Sequence, residues 1–174
     1  PGQTLAEWRA ALQRAMDLGV GHISTYGLTF EQGTAFYTRR QRGELQSTPE
    51  DLEYDMYAAA MDDLTAAGFE QYEISNFARP GFRCRHNMVY WNGGEYLAYG
   101  PGAARYVAGK RETNLRSVWG WLAKIDRGLS PVVEVEELAP EPHARERLFV
   151  GLRLGEGINR NDFQQQTGYV LNDL

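Results

Sequence analysis

Cysteine is almost absent from this 174-residue chain, which contains only Cys84. One cysteine excludes a disulfide within the chain, and it excludes a zinc or iron–sulfur site built from several of its own cysteines. Long hydrophobic runs are also absent, because no stretch approaches the roughly 20 apolar residues of a membrane-spanning helix. Since the chain shows no signal-peptide pattern either, we expect a reducing, cytoplasmic compartment.

Positive charge is also scarce, with 18 basic against 23 acidic residues and a net charge of −5. This balance argues against a nucleic-acid-binding protein that works by bulk charge. Aromatic residues are abundant, since the chain has four Trp, ten Tyr and seven Phe. Their flat faces suit a core or a site for a planar ligand. The chain opens on Pro1-Gly2-Gln3 without a methionine, and we expect it to be a piece of a longer protein.

Helices and strands alternate in the first half of the chain. A capping box of Thr4 and Glu7 predicts a helix that stops at Gly19, and β-forming residues predict a strand over residues 22–30. A second helix is predicted from Thr48 to Gly68, followed by a second strand over residues 72–77. This alternation is typical of α/β folds with parallel strands.

In such folds ligands collect where strands end, so loops 31–48 and 78–94 are the predicted places for a site. Beyond residue 94 the pattern changes. We predict, in order, short strands at 96–99 and 103–107, a turn at 108–110, a returning segment at 113–115, a helix at 118–128, a linker at 129–142, a helix that turns Leu148, Phe149 and Leu152 inward, and a helix start at 162–166.

Gly100-Pro101-Gly102-Ala103 follows a predicted strand but matches a dinucleotide-binding fingerprint poorly, because proline removes one amide donor. Two interpretations stay open. The segment is a tight turn between strands, or its glycines allow the backbone to approach a small ligand closely.

The segment Cys84-Arg85-His86-Asn87-Met88-Val89-Tyr90-Trp91 combines a thiol, an imidazole, two aromatic rings and an arginine, and Arg83 precedes it. A porphyrin uses an axial ligand, flat apolar walls and cations for its propionates. The alternative is structural, with His86 and Asn87 bonded to the loop and the two rings in the core. A Cys-x-His zinc site lacks further ligands nearby.

Three long motifs carry a resemblance to a known family. They are His22-Ile23-Ser24-x-Tyr26-x-Leu28-x-x-Glu31-x-Gly33-Thr34-x-Phe36-Tyr37, Gln71-Tyr72-Glu73-Ile74-Ser75-Asn76-Phe77-Ala78 and Cys84-Arg85-His86-Asn87-x-x-Tyr90-Trp91. In this order they resemble the HemW heme chaperones, which are related to the oxygen-independent coproporphyrinogen III oxidases of the radical S-adenosylmethionine (SAM) group. The resemblance continues through the Gly100–Ala103 turn to Leu152-Arg153.

The resemblance implies an α/β fold. Residues 1–130 would form the C-terminal part of a partial (β/α)6 radical SAM barrel with a β extension, and residues 131–174 the start of a small, mainly helical C-terminal domain. The family's cysteines for the 4Fe–4S cluster lie earlier in the barrel, and Cys84 is not one of them. We therefore expect these residues alone to hold no cluster and to cleave no SAM.

The resemblance also implies two sets of site residues. Those expected to contact SAM are Leu28, Thr29, Gly100, Gly102 and Ala104. Those expected to bind heme are His86, Asn87, Tyr90 and Trp91, with His86 as the ligand of the heme iron. Cys84 stays open as a competing ligand.

The implied function is that of a heme chaperone, which binds heme and passes it to apo-proteins such as respiratory enzymes. The implied cofactors are SAM, a 4Fe–4S cluster and heme, and membrane contact would arise only through an acceptor. The alternative is an oxidase that decarboxylates coproporphyrinogen III with a SAM-derived radical, and whether the protein is an enzyme stays open. The His86–Trp91 motif favours the chaperone, because the oxidases have a different segment there.

Overall fold

A computed structural model describes all 174 residues, and these form two compact units, Pro1–Cys84 and Arg85–Leu174. The expected family domains, 1–130 and 131–174, stay a prediction, because the two units are defined by internal packing and a family boundary need not coincide with them. None of the helices combines the length and hydrophobicity needed to cross a membrane.

The first unit packs two long helices against a small sheet. Its elements are α1 (Leu5–Asp17), β1 (His22–Ser24), α2 (Ala35–Gln41), α3 (Glu50–Ala66), β2 (Glu70–Glu73) and β3 (Asn76–Ala78). The predicted capping box is confirmed, since Thr4 and Glu7 bond each other's backbone amides at the start of α1. The core consists of Leu12, Ile23, Ala60, Leu64, Phe69 and Phe77.

The sheet of the first unit corrects the prediction of parallel neighbours. Its strand order is β1-β3-β2, and both pairings are antiparallel. The strand predicted over 72–77 is a hairpin, because the chain reverses between Glu73 and Asn76 and β3 returns between β1 and β2. The strand predicted over 22–30 ends at Ser24, so residues 25–30 are irregular.

Buried polar residues hold this hairpin. Glu73 is 1% exposed, and its carboxylate accepts hydrogen bonds from the Ser75 amide at 2.9 Å and from the Asn76 side chain. The Asn76 oxygen in turn accepts from the Ser24 hydroxyl at 2.5 Å. A buried carboxylate is tolerated only when it is hydrogen-bonded in this way, so these bonds favour this conformation of the turn over others.

The loop predicted over 31–48 contains a helix. Thr34 caps the start of α2 by accepting a hydrogen bond from the Tyr37 amide at 3.2 Å, and the Thr34 hydroxyl donates to the Glu31 carbonyl at 2.7 Å. The prediction of an uninterrupted loop was wrong, because a helix of only seven residues shows little periodicity in the sequence and is marked only by the cap at Thr34.

The second unit combines helices with an antiparallel sheet of order β4-β5-β6. Its elements are α4 (Arg85–Trp91), β4 (Ala104–Val107), β5 (Lys110–Asn114), α5 (Val118–Asp126), β6 (Val132–Glu137), α6 (Pro140–Gly151), α7 (Arg160–Thr167) and a short 3-10 helix (Leu171–Asp173). The predicted turn is confirmed, because Ala108 and Gly109 both adopt positive φ, 52° and 76°, between β4 and β5.

Several predictions for the second unit were wrong. The strand predicted over 96–99 is reduced to one bridge between Tyr96 and Tyr106. The linker predicted over 129–142 contains β6, which pairs with β5. On α6 the buried residues are Ala144 and Gly151, while Phe149 is 75% exposed. Leu152 is 60% exposed as well, while Leu148 is half-buried.

The stability of the first unit is expected to depend on the protonation of His22. His22 Nε2 and the Tyr72 hydroxyl lie 2.9 Å apart, and burial lowers the pKa of His22 although the Glu73 carboxylate opposes this. The folded state therefore binds this proton less readily than the unfolded state, whose histidine titrates at about 6.5. We expect the urea midpoint of the intact protein to fall as the pH drops below about 6.5, and the fall to be smaller in His22→Gln.

His86→Gln is the matched control, because it removes an exposed imidazole outside this sheet. Circular dichroism during urea titrations at several pH values measures the midpoint. Equal flattening of the pH dependence by both substitutions would contradict the role of His22.

Candidate functional site

The motif His86–Trp91 lies on a helix and not in the loop predicted over 78–94. The helix α4 ends in a Schellman motif, since the Gly94 amide donates to the Val89 carbonyl at 2.8 Å and the Gly93 amide to the Tyr90 carbonyl at 2.9 Å. Gly93 has a φ of +64°, the left-handed conformation that this motif requires. The glycine pair therefore defines where the motif helix stops.

Helical spacing places His86 and Tyr90 on the same face of α4. The His86 Nε2 and the Tyr90 hydroxyl oxygen are 2.9 Å apart, and the two rings meet edge to face with centroids 4.8 Å apart. His86 is exposed and Tyr90 half-buried. The contact restrains the imidazole and leaves Nδ1 without a protein partner.

Aromatic rings continue from Tyr90 into the unit. The Tyr90 and Tyr96 rings meet edge to face at 4.6 Å, and Tyr96 lies 6.2 Å from Tyr106 across the isolated bridge. Tyr106 stacks on His143 of α6 with centroids 6.4 Å apart, and its hydroxyl lies 2.9 Å from His143 Nε2. Burial raises the pKa of the Tyr106 phenol, with Glu146 adding to the effect, so this hydroxyl stays protonated.

These rings border a pocket of about 160 Å³, here called the Tyr106 pocket. Its lining includes Tyr90, Trp91, Tyr96, Tyr106, His143 and Arg147. Pockets that enclose drug-sized ligands measure about 300–1,000 Å³. The Tyr106 pocket is therefore too small for a porphyrin ring, although it has room for one side group of a larger ligand.

Two arginines of the Tyr106 pocket differ in their partners. Arg111 of β5 pairs with Glu136 and, at 2.8 Å, with Glu146. Burial opposes its charge, but the hydrogen bond and the charge of Glu146 raise its pKa overall. Arg147 of α6 instead donates to the Trp91 carbonyl at 2.8 Å and to the Gln166 side chain at 3.1 Å.

The other residues predicted to bind heme are in or near α4. Asn87 and Trp91 are half-buried, and the Arg153 guanidinium lies 4.6 Å from the centre of the Trp91 ring. Cys84 is half-buried in the first unit, where its amide donates to the Tyr72 hydroxyl at 3.3 Å. No group of three or more His, Cys, Asp or Glu residues is arranged to hold a metal ion.

Two residues predicted to contact SAM lie in the first unit. Leu28 and Thr29 follow β1 in irregular, exposed backbone. Leu28 borders a pocket of about 160 Å³, together with Thr25, Glu53 and Tyr57. Thr25 is only 8% exposed, and its hydroxyl has no hydrogen-bond partner. A carboxylate, an unpaired hydroxyl and apolar walls suit part of a nucleoside.

The other residues predicted to contact SAM lie in the second unit. Gly100 and Gly102 adopt positive φ, 105° and 70°, and Ala104 begins β4. The turn is bonded to the end of β5 and the residue after it, because the Asn114 side chain donates to the Gly100 carbonyl at 3.0 Å and the Gly102 amide donates to the Leu115 carbonyl at 3.1 Å. These bonds support the interpretation as a tight turn and leave ligand contact untested.

Sequence reasoning missed Tyr106, His143 and Arg147 as neighbours of the motif. Arg147 lies 56 residues from Trp91 in the chain, and its contact depends on the packing of α6 near α4. No local spacing signal links these positions, so only the tertiary structure reveals them.

Comparison with known proteins shows several relatives named heme chaperone HemW. The chain is 35% identical over 174 residues to the one from Bacillus subtilis, covering 100% of this chain and 46% of the relative. It is 39% identical over 160 residues to the one from Synechocystis, covering 91% of this chain and 39% of the relative. The chain thus spans less than half the length of these curated relatives.

A mitochondrial protein from Bos taurus, named radical S-adenosyl methionine domain-containing protein 1, is 35% identical over 179 residues, covering 95% of this chain and 39% of its own length. A scan against family models finds no match.

The solved structure of Escherichia coli coproporphyrinogen III oxidase (HemN), described as a radical SAM enzyme, matches with a TM-score of 0.77 at 16% identity. It covers 99% of this chain and 42% of the oxidase, and the match confirms the mixed α/β fold class. The resemblance to the HemW heme chaperones is confirmed by the sequence comparisons, and the chain is homologous over its whole length to part of a HemW protein.

Proposed function

We propose that this chain belongs to the heme-carrying part of a heme chaperone, which binds heme beside α4 and passes it to apo-proteins. The observation that carries the proposal is the 35–39% identity, over nearly the whole chain, to relatives named heme chaperone HemW. The exposed imidazole of His86, restrained by Tyr90, agrees with this function.

The neutral imidazole of His86 has two tautomers, and the Tyr90 hydroxyl can pair with Nε2 in both, donating to a bare nitrogen or accepting from an N–H. When Nε2–H donates to the Tyr90 oxygen, the lone pair of Nδ1 faces outward and is free to ligate iron. A partner of this kind fixes the orientation of a ligating histidine and raises its basicity. His86 is thus the proposed iron ligand, Tyr90 its positioning residue, and Asn87 and Trp91 further heme contacts.

We further propose that the full protein uses SAM, as the names of its radical SAM relatives indicate, together with the 4Fe–4S cluster that the family resemblance implies. Leu28 and Thr29 would supply one SAM contact, and Gly100, Gly102 and Ala104 another. Leu28 borders two pockets, one of about 160 Å³ and one of about 330 Å³ that Thr29 also lines. A cluster needs several thiolates, so the single cysteine of this chain does not fit it and its ligands are proposed to lie elsewhere in the protein.

Apo-proteins that acquire heme, such as respiratory enzymes, are the proposed partners. The cytoplasm is the proposed compartment, and contact with a membrane would come only through an acceptor. The exposed position of His86 favours transfer, because an acceptor can approach the ligand without unfolding the unit.

The alternative function, oxidation of coproporphyrinogen III, has weaker support. The matching oxidase structure is only 16% identical and therefore shows the fold alone. No contact in the second unit specifically favours a decarboxylation site.

His86→Ala tests the iron ligand. We expect the intact protein to bind heme with a Soret band, and the substitution to weaken binding at least tenfold because the axial bond is lost. Absorbance titration with hemin measures the affinity. Cys84→Ala is the control for the competing ligand and keeps wild-type affinity.

The reverse pattern, with loss in Cys84→Ala and none in His86→Ala, would assign the iron to the thiolate. A wild-type protein that fails to bind hemin would overturn the proposed function.

Tyr90→Phe tests the positioning of the imidazole. The substitution keeps the ring and removes only the hydroxyl, so it costs one hydrogen bond worth about 0.5–1.5 kcal/mol. We expect hemin affinity to fall about two- to tenfold, as measured by the same titration.

Tyr99→Phe is the matched control, because Tyr99 is 84% exposed and lies outside the motif. Unchanged affinity in Tyr90→Phe, or an equal loss in both variants, would remove Tyr90 from this role.

A further inference from the structure

Arg147 is a cation without a carboxylate partner. Its Nη1 donates to the Trp91 carbonyl at 2.8 Å and its Nε to the Gln166 side chain at 3.1 Å, and both acceptors are neutral. Burial lowers the pKa of Arg147, and no neighbouring charge offsets the effect. A guanidinium stays charged in proteins, so the charge is present and uncompensated.

Two other arginines of the second unit, Arg111 and Arg145, do have carboxylate partners. Arg111 pairs with Glu136 and Glu146, and Arg145, two residues before Arg147 on α6, pairs with Glu141 at 2.8 Å. The partly desolvated charge of Arg147 carries a cost that an anion in contact with it would offset.

The Tyr106 pocket offers an anion a place beside this charge. At about 160 Å³ its volume equals that of about five water molecules, which suits a short carboxylate arm and not a ring. The indole N–H of Trp91, a residue that also lines the pocket, is buried without a hydrogen-bond partner. Glu146 lines the pocket too, but its carboxylate is bonded to Arg111.

A second pocket that Arg147 borders is less suitable for an anion. It measures about 510 Å³, and its lining includes the acidic residues Glu156 and Asp162. Asp162 makes no ion pair, so its charge disfavours a carboxylate on that side. The Tyr106 pocket, which Tyr90 connects to His86, is therefore the better place.

We propose that the Tyr106 pocket binds a propionate arm of the heme carried at His86, with Arg147 pairing with its carboxylate. This inference rests on the proposed function, because it supplies the second attachment point of the same ligand. Guanidinium and carboxylate groups match in geometry and form strong, charge-assisted hydrogen bonds. The pairing would select porphyrins with free acid arms.

The test compares hemin with its dimethyl ester, which lacks free carboxylates, in wild-type intact protein and in Arg147→Gln. Absorbance titrations in one solvent mixture measure all affinities. We expect Arg147→Gln to lose about tenfold more affinity for hemin than for the ester, because both compounds lose the hydrogen bond to Trp91 and only hemin also loses the ion pair. Arg147→Lys, which keeps the charge, should recover part of the hemin affinity.

Arg145→Gln is the matched control, since it removes a paired and exposed arginine from the same helix. Equal losses for hemin and ester in Arg147→Gln would show a structural role and overturn the proposal. Equal wild-type affinities for hemin and ester would overturn it while leaving heme carriage intact. Failure of the wild type to bind either compound would overturn both.

Discussion

The hydrogen bond from Arg147 to the Trp91 carbonyl is the contact on which the geometry of the candidate site depends. It joins the end of the motif helix to α6, two elements that are far apart in the chain. Gly93 is required beside it, because a Cβ at this position would lie 2.4 Å from Nε of Arg147. Left-handed backbone and close approach therefore select glycine at the same position.

Besides this hydrogen bond, the site contains a set of aromatic rings. The hydrophobic core of the second unit is too small to position all of these rings. The buried apolar side chains of the second unit are those of Ala144, Leu154 and Phe163. Ring contacts from Tyr90 to His143 supply much of the remaining order, since aromatic pairs prefer defined geometries. The result is an exposed histidine restrained by Tyr90, which also lines the Tyr106 pocket.

Local signals in the sequence predicted local structure well. The capping box at Thr4 and the turn at Ala108-Gly109 were both confirmed, because each depends on residues adjacent in the chain. Predictions of strand partners were wrong, since a short hairpin inserts β3 between β1 and β2. Residues 129–142 were predicted to be a linker because of their prolines and acids, yet β6 forms there by backbone pairing with β5, and two of its acidic residues also pair with basic residues of β5.

The sequence by itself determined the family resemblance and the identity of the motif residues, because both are properties of residue order along the chain. It also determined that the chain has too few thiolates for its own cluster. Only the tertiary structure decided that the motif is helical, that Tyr90 restrains His86, and that Arg147 lies beside the Tyr106 pocket without a counter-charge. Those properties arise when α4, β4, β5 and α6 pack together, and no periodicity within any one of them encodes the packing.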